Sequence, residues 1–240
     1  MVRREKGQGG VGQGGNRKLA VRVRTAKGRK LASTRWLQRQ LNDPYVEEAK
    51  RRGYRSRAAF KLAEIDEKHH LLRPGMSVVD LGAAPGGWSQ IAAQRVKLMA
   101  GKGQVVAVDV AEMEPIAGVV GLKLDLTDPQ APESIRAALG GAKADAVLSD
   151  MHAPATGHKA TDHLRIMSLT EAALDLAEDI LAPGGVFLCK VLQGGASREL
   201  VARLNRSFAK VRHMKPKASR AGSAEMYVLA TGFRGAPPGS

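Results

Sequence analysis

From residue 77 onward, short β-rich apolar runs alternate with longer amphipathic stretches. The runs predict strands over Ser77–Leu81, Gln104–Asp109, Gly121–Leu124, Ala144–Ser149, Val186–Val191, Lys210–Met214 and Glu225–Ala230. Helices are expected between them near 87–99, 132–139, 163–181 and 197–206. Strands separated by helices argue for a parallel sheet covered on both faces. The last two strands are joined only by a loop around Pro216 to Ser223, too short for a crossover helix, and are expected to pair antiparallel. Upstream, Ser56 is the expected N-cap of a helix over 57–69, with Phe60, Leu62, Ala63 and Ile65 as its apolar contacts. Pro74-Gly75 marks the turn that follows.

The first thirty residues break this pattern. They mix Gly, Gln, Lys and Arg with almost nothing to bury, and hold ten Lys and Arg against the single acid Glu5. That balance is +9 of the chain's +15, and the pI is about 10.3. Such a tail is expected to be disordered in isolation and to lie along phosphates, so nucleic acid is the implied partner. An ordered domain is expected over 31–233, opened by Trp36, Leu37, Leu41, Tyr45 and Val46, with 234–240 a flexible tail. Trp36 and Tyr45 could stack on RNA bases or pack between helices. Cys189, the one cysteine, lies in an apolar run and reads as a buried hydrophobe. A disulfide framework is excluded. No apolar run reaches the roughly 20 residues that span a bilayer, and the basic N-terminus has no secretory apolar core behind it. A cytoplasmic monomer is the expectation.

The first predicted strand runs into Asp80-Leu81-Gly82-Ala83-Ala84-Pro85-Gly86-Gly87-Trp88. A strand that ends in a glycine-rich turn before a helix makes a cleft where backbone approaches a ligand closely. The spacing is neither the G-x-G-x-x-G of a dinucleotide site nor a P-loop, since Trp88-Ser89 stands where Lys-Ser/Thr would be needed. This argues against a nucleotide-dependent oxidoreductase. The second strand ends in Asp109, where a carboxylate can accept from a ribose diol, and the third is followed by Asp125, suited to an adenine amino group. The combination points to a nucleoside cofactor.

Four ionisable residues stand at positions that can converge on this cleft: Lys61, Asp150, Lys190 and Glu225. Lys190 is the odd one, because it interrupts Val186-Phe187-Leu188-Cys189-Lys190-Val191-Leu192, a run otherwise suited to burial on both faces. A buried lysine is costly unless paired, and desolvation lowers its pKa toward neutrality, which suits it to act as a base. The structural alternative is an ion pair or a side chain snorkelling from the strand end. His152, His158 and His163 lie near Asp150 and Asp162 but lack a recognisable ligand spacing, so no metal is expected.

Several segments carry a closer likeness. Ser56-Arg57-Ala58-Ala59-Phe60-Lys61-Leu62, the stretch Val79 to Gln90, Leu148-Ser149-Asp150-Met151, Lys190-Val191-Leu192-Gln193-Gly194 and Ser219-Arg220-Ala221 resemble the FtsJ/RrmJ (RlmE) ribosomal RNA 2′-O-methyltransferases over roughly residues 33–233. The resemblance implies an α/β, Rossmann-like class I fold, with a seven-stranded mostly parallel sheet, helices on both faces and an antiparallel C-terminal hairpin. It implies S-adenosylmethionine as cofactor, contacted by Gly86, Trp88, Asp109, Asp125 and Asp150. It implies a catalytic tetrad at Lys61, Asp150, Lys190 and Glu225, with Lys190 as proton acceptor. The implied substrate is a uridine 2′-hydroxyl in the A-loop of 23S rRNA, within the large ribosomal subunit. One departure is local: after Ser149-Asp150-Met151, many relatives continue with Ala-Pro-Asn, where this chain has His152-Ala153-Pro154-Ala155-Thr156. Methylation of a tRNA or another RNA shares the same tetrad, and a non-catalytic RNA-binding assembly factor would not need Lys190.

Overall fold

Strands without a polar face must be covered twice. β1 (Ser77–Leu81), β2 (Gln104–Asp109) and β4 (Ala144–Ser149) are almost wholly buried, as parallel strands between two helical layers are. In the computed structural model, which describes residues 31–153, 156–193 and 198–235, they are interior strands of a seven-stranded sheet. The remaining strands are β3 (Val120–Lys123), β5 (Leu181–Leu192), β6 (Phe208–Met214) and β7 (Glu225–Phe233), and the order is β3-β2-β1-β4-β5-β7-β6. Pairing is parallel from β3 to β5, and β7 lies antiparallel between β5 and β6, the hairpin expected from the short loop. The basic segment 1–30, residues 236–240 and the Trp36 side chain lie outside the described residues.

The helices are α1 (Leu31–Leu41), α2 (Pro44–Arg51), α3 (Ala59–His69), α4 (Gly87–Arg95), α5 (Ala131–Ala138), α6 (Lys159–Ile180) and α7 (Arg198–Ser207). The described chain divides into two units after Val46, and the sheet belongs wholly to the second. Successive strand residues point to opposite faces, so each strand feeds two cores. Val78, Val105, Leu148, Leu188 and Leu229 meet Leu62 and Ile65 of α3 and Trp88 and Ile91 of α4. Val79, Val106, Val147, Phe187 and Val228 meet Ile135, Leu174, Ile180, Leu200 and Leu204 of α5, α6 and α7. Cys189 is in this second layer, its thiol pushed up to about 11 by burial, and is a core residue. Among the described residues no helix is long and apolar enough to cross a membrane.

Several boundaries differ from expectation, and three of the differences have a visible cause. α3 starts at Ala59, not 57, and Ser56 does not cap it: the Ser56 carbonyl accepts from the Ala59 amide, while its hydroxyl is buried without a partner. The helix expected over 87–99 stops at Arg95, because Lys97 takes a left-handed backbone (φ 58°) before a 3-10 turn at Leu98–Ala100. β5 begins at Leu181, directly after α6, although Pro183-Gly184-Gly185 reads as a break. A register shift between Ala144 and Ala146 accommodates the insertion.

At the far edge, Phe208 is buried between Phe187 and Phe233, with ring centroids 6.2 and 5.3 Å away. This cluster closes the end of the sheet that carries β6 and β7. Phe208→Ala is expected to cost about 3–5 kcal/mol, the range for emptying an aromatic core site. Urea unfolding should show a lower midpoint with an unchanged slope.

Candidate active site

β5 and β7 pair with Lys190 opposite Tyr227 and Leu192 opposite Glu225. Since alternate residues share a face, Lys190, Tyr227 and Glu225 all belong to the face covered by α3. Lys61, in the first turn of α3, reaches them from above. Asp150 follows the end of β4, where its amide donates to the Leu81 carbonyl (3.2 Å) and fixes it beside β1. All four candidate residues thus converge, from two strands, one loop and one helix.

They do so as two ion pairs joined by a phenol. Lys61 Nζ is 2.6 Å from Glu225 Oε1. Lys190 Nζ is 3.2 Å from Asp150 Oδ1 and donates to the Asp150 carbonyl at 2.5 Å. Between them, the Tyr227 hydroxyl donates to Asp150 Oδ1 at 2.7 Å and lies 3.2 Å from Glu225 Oε1. One hydroxyl proton serves one carboxylate at a time, and the distances favour Asp150. Burial, reinforced by the Asp150 and Glu225 carboxylates, holds the Tyr227 pKa well above that of a free phenol, so it remains a donor. Lys61 and Lys190 are only 6% and 8% exposed. Charges so buried each carry a penalty of several kcal/mol, which only close, fully hydrogen-bonded partners offset. The Trp88 ring (5.6 Å) and the Lys61 ammonium (5.8 Å) lie against the ring of Tyr227 and hold it in place.

Tyr227 was not among the sequence-derived candidates. Its signal there is faint: an aromatic in a strand, two residues after Glu225 and so on the same face.

The adjoining cleft opens at the ends of β1 and β2. The Gly82 and Ala83 amides donate to the Val108 carbonyl, tying the turn to β2. Gly86, at φ 111°, caps α4, and a side chain there would meet Ile116 at 2.9 Å and Arg55 at 3.1 Å. The Gly87 and Trp88 amides fall in the first turn of α4, where no intrahelical acceptor exists. Asp109 Oδ2 accepts from Ala84 N (2.9 Å) and Oδ1 from Ala111 N (2.8 Å). It lines a cavity of about 260 Å³ together with Ala83, Ile116, Val119 and Leu122. Arg55 braces the outer wall: its guanidinium donates to the carbonyls of Pro85, Glu114 and Pro115.

Two buried oxygens beside this turn have no partner, Asp80 Oδ1 and Ser56 Oγ. Asp80 accepts from the Ser89 hydroxyl through its other oxygen (2.6 Å). Burial pushes its carboxyl up to about 7; the Ser89 bond opposes this, and the Asp150 and Asp109 carboxylates add to it. A fully buried, half-satisfied carboxylate near two others is suited to a ligand that brings positive charge. The donor set therefore fits a nucleoside carrying a cationic, amino-acid-like end.

The other predicted contacts stand differently. The Trp88 indole is core, its Nε1 donating to Ala58 O at 2.8 Å, so only its main chain is available to a ligand. Asp125 is exposed and accepts from Thr127 N (2.9 Å) and Oγ1 (2.8 Å), bonds that lower its pKa; it is not part of the cavity wall.

A seven-stranded sheet of this order, with a glycine-rich cleft at β1 and a buried lysine pair brought together from α3 and β5, defines a class I methyltransferase. The chain belongs to the FtsJ-like methyltransferase family, whose model matches residues 54–233. It is 61% identical over 219 residues to the ribosomal RNA large subunit methyltransferase E of Xanthobacter autotrophicus, covering 91% of this chain and 86% of that one. It is 58% identical to the protein of the same name from Paramagnetospirillum magneticum, covering 92% and 91%. A Plasmodium falciparum crystal structure, provisionally described as a ribosomal RNA methyltransferase, superposes with a TM-score of 0.68 at 28% identity, over 76% of this chain and all of that one.

The raised Asp80 pKa has a consequence for stability. Between its ordinary value of 3.8 and about 7, the folded chain holds a proton that the unfolded chain releases. Stability from this group is therefore full below pH 4, falls as pH rises through the window, and levels off above 7. Asp80→Asn should remove that contribution. The wild-type-minus-variant unfolding free energy should decline by about 1 kcal/mol per pH unit between pH 5 and 7.

Proposed function

We propose that this chain transfers the methyl group of S-adenosylmethionine to a ribose 2′-hydroxyl of ribosomal RNA in the large subunit. The uridine of the 23S A-loop is the target implied by the resemblance. The observation that carries the reading is the Lys190–Asp150–Tyr227–Glu225–Lys61 network, set beside a cleft whose orphaned Asp80 oxygen invites a cationic nucleoside. Relatives named as large-subunit ribosomal RNA methyltransferases supply the substrate. The catalytic domain spans 31–233, and the basic segment 1–30 adds contacts to RNA in the cytoplasm, where the enzyme acts as a monomer.

When bound, S-adenosylmethionine supplies an electrophilic methyl group on a sulfonium. In the turn opened by Gly86, the main-chain amides of Gly87 and Trp88 would hold its amino-acid end, Asp109 its ribose diol, Asp125 its adenine, and Asp150 the region nearest the methyl. Lys190, as the neutral amine after releasing a proton to solvent, orients the ribose hydroxyl and accepts its proton at Nζ, returning to the ammonium that Asp150 pairs with. Asp150 fixes Lys190 from two sides, through its carboxylate and its carbonyl. Glu225 holds Lys61, and Tyr227 keeps both carboxylates in register, so that two lysines share one pocket without repelling each other out of position. Such positioning supplies several kcal/mol of barrier reduction, up to about 7–11 at its limit.

Lys190→Ala and Lys190→Arg test the assignment together. Both should bind cofactor as the wild type does and lose about 10²–10⁴-fold in turnover, the range for a positioned base. Arginine keeps the charge but does not deprotonate in proteins. An Arg variant with near-normal turnover would reduce Lys190 to an orienting cation, and an active Ala variant would remove it from the chemistry.

A further inference from the structure

Beyond the reaction centre, the edge strand β6 and helix α3 enclose a groove rich in unpaired cations. Its upper part is a cavity of about 400 Å³ bordered by Lys68, Met214, Lys215 and Lys217. Below it a second cavity of about 170 Å³ lies between Lys210, Arg212 and Leu229, and His69 borders both. The side chains of Lys68, Lys210, Arg212 and Lys217 make no hydrogen bond or ion pair among the described residues. Several cations elsewhere are engaged, Arg95 with Asp66, Arg136 with Asp179, Arg203 with Glu178, and what sets the four groove cations apart is that they border one continuous groove. The two acids of the groove are already committed, Glu64 accepting from Ala218 N and Glu67 facing Arg95. The His69 imidazole records the field there, its pKa lowered by burial first and then by Lys68, Arg212 and His70.

The cations are placed in register with the active site. Met214 pairs with Tyr227, Arg212 with Leu229 and Lys210 with Thr231. On a strand, alternate residues share a face and step by about 7 Å, so Arg212 and Lys210 descend from the Tyr227 level at about 7 and 13 Å. On α3, Lys68 lies two turns beyond Lys61 on the same side, about 10 Å along the axis. Two lines of positive charge thus leave the reaction centre and run parallel down the same edge.

We infer that this α3–β6 groove is a track for the phosphate backbone of the RNA substrate, holding the strand that continues away from the reacting ribose. The inference rests on the reading of the substrate as ribosomal RNA. Regularly stepped, unpaired Lys and Arg on a rigid strand suit repeating phosphates, which position the substrate without reading its bases. The groove extends the cationic surface well beyond the four residues of the centre, so it governs substrate capture and leaves the methyl-transfer step untouched.

The test compares Lys210→Glu/Arg212→Glu with a control of equal charge change in the connection between α4 and β2, Lys97→Glu/Lys102→Glu. Each protein is titrated against in vitro transcribed large-subunit rRNA by filter binding across a salt series, and methylation is followed on the same RNA and on large subunits. The groove variant should bind about tenfold more weakly or worse, with KM for RNA raised in step, kcat and cofactor binding unchanged, and an unaltered thermal midpoint. Its salt slope should be shallower by about 1.4, the value for two lost contacts to single-stranded phosphates. Wild-type affinity and slope in the groove variant would overturn the inference, as would equal weakening by the control. A defect on large subunits with normal binding to bare RNA would assign the groove to a ribosomal protein instead, and also overturn it. If the wild type binds RNA through the groove yet methylates none, the substrate reading fails and the track stands.

Discussion

Two ammonium groups and two carboxylates share one buried corner of the molecule, and one phenol joins them. Burying any of these charges alone would cost several kcal/mol, and losing one partner of a buried pair leaves the other uncompensated. The Tyr227 hydroxyl makes the arrangement a single unit, because it spans Asp150 and Glu225. Everything around it follows from that demand. β7 must run antiparallel to β5 to bring Tyr227 opposite Lys190. Asp150 must be tethered to β1 through its amide, and α3 must start close enough for Lys61 to reach down.

The cofactor cleft is coupled to this corner through charge as well as through shape. Asp80 is the penultimate residue of β1, and its burial near Asp150 and Asp109 leaves three carboxylates around a glycine-rich turn. Such a concentration of negative potential is unfavourable by itself and complementary to a sulfonium and an ammonium. A cationic cofactor would relieve it, and would at the same time bring its reactive carbon toward Lys190. The bracing of the cavity wall by Arg55 keeps the turn and the loop after β2 at fixed separation, so that relief does not require rebuilding the site.

Much of the frame was legible in the sequence because each feature had a local cause. β1, β2 and β4 are continuous apolar runs bounded by polar or glycine residues, and their limits agree with expectation. The hairpin followed from a loop too short to cross over. Lys190 stood out as a charge inside an apolar strand. What escaped depended on distant neighbours. Lys61 and Glu225 are 164 residues apart; their element positions allowed them to converge on the cleft, but nothing local in the sequence made them an ion pair. Tyr227 looks like any strand aromatic until its hydroxyl partners are known. Ser56 resembled a helix cap, yet its hydroxyl faces Gly87 of α4, and the helix starts three residues later. The Trp88 indole is core, packed with its Nε1 on Ala58 O, so any contact of this residue with a ligand falls to its main-chain amide in the first turn of α4.

The central claim is that this network serves oxygen methylation of a ribose. The most direct measurement supplies methyl-labelled S-adenosylmethionine to large ribosomal subunits from cells lacking the modification, then digests the RNA to nucleosides. The account predicts label in a 2′-O-methylated nucleoside, uridine if the proposed target is right. Label on a base, or none on RNA at all, would contradict it.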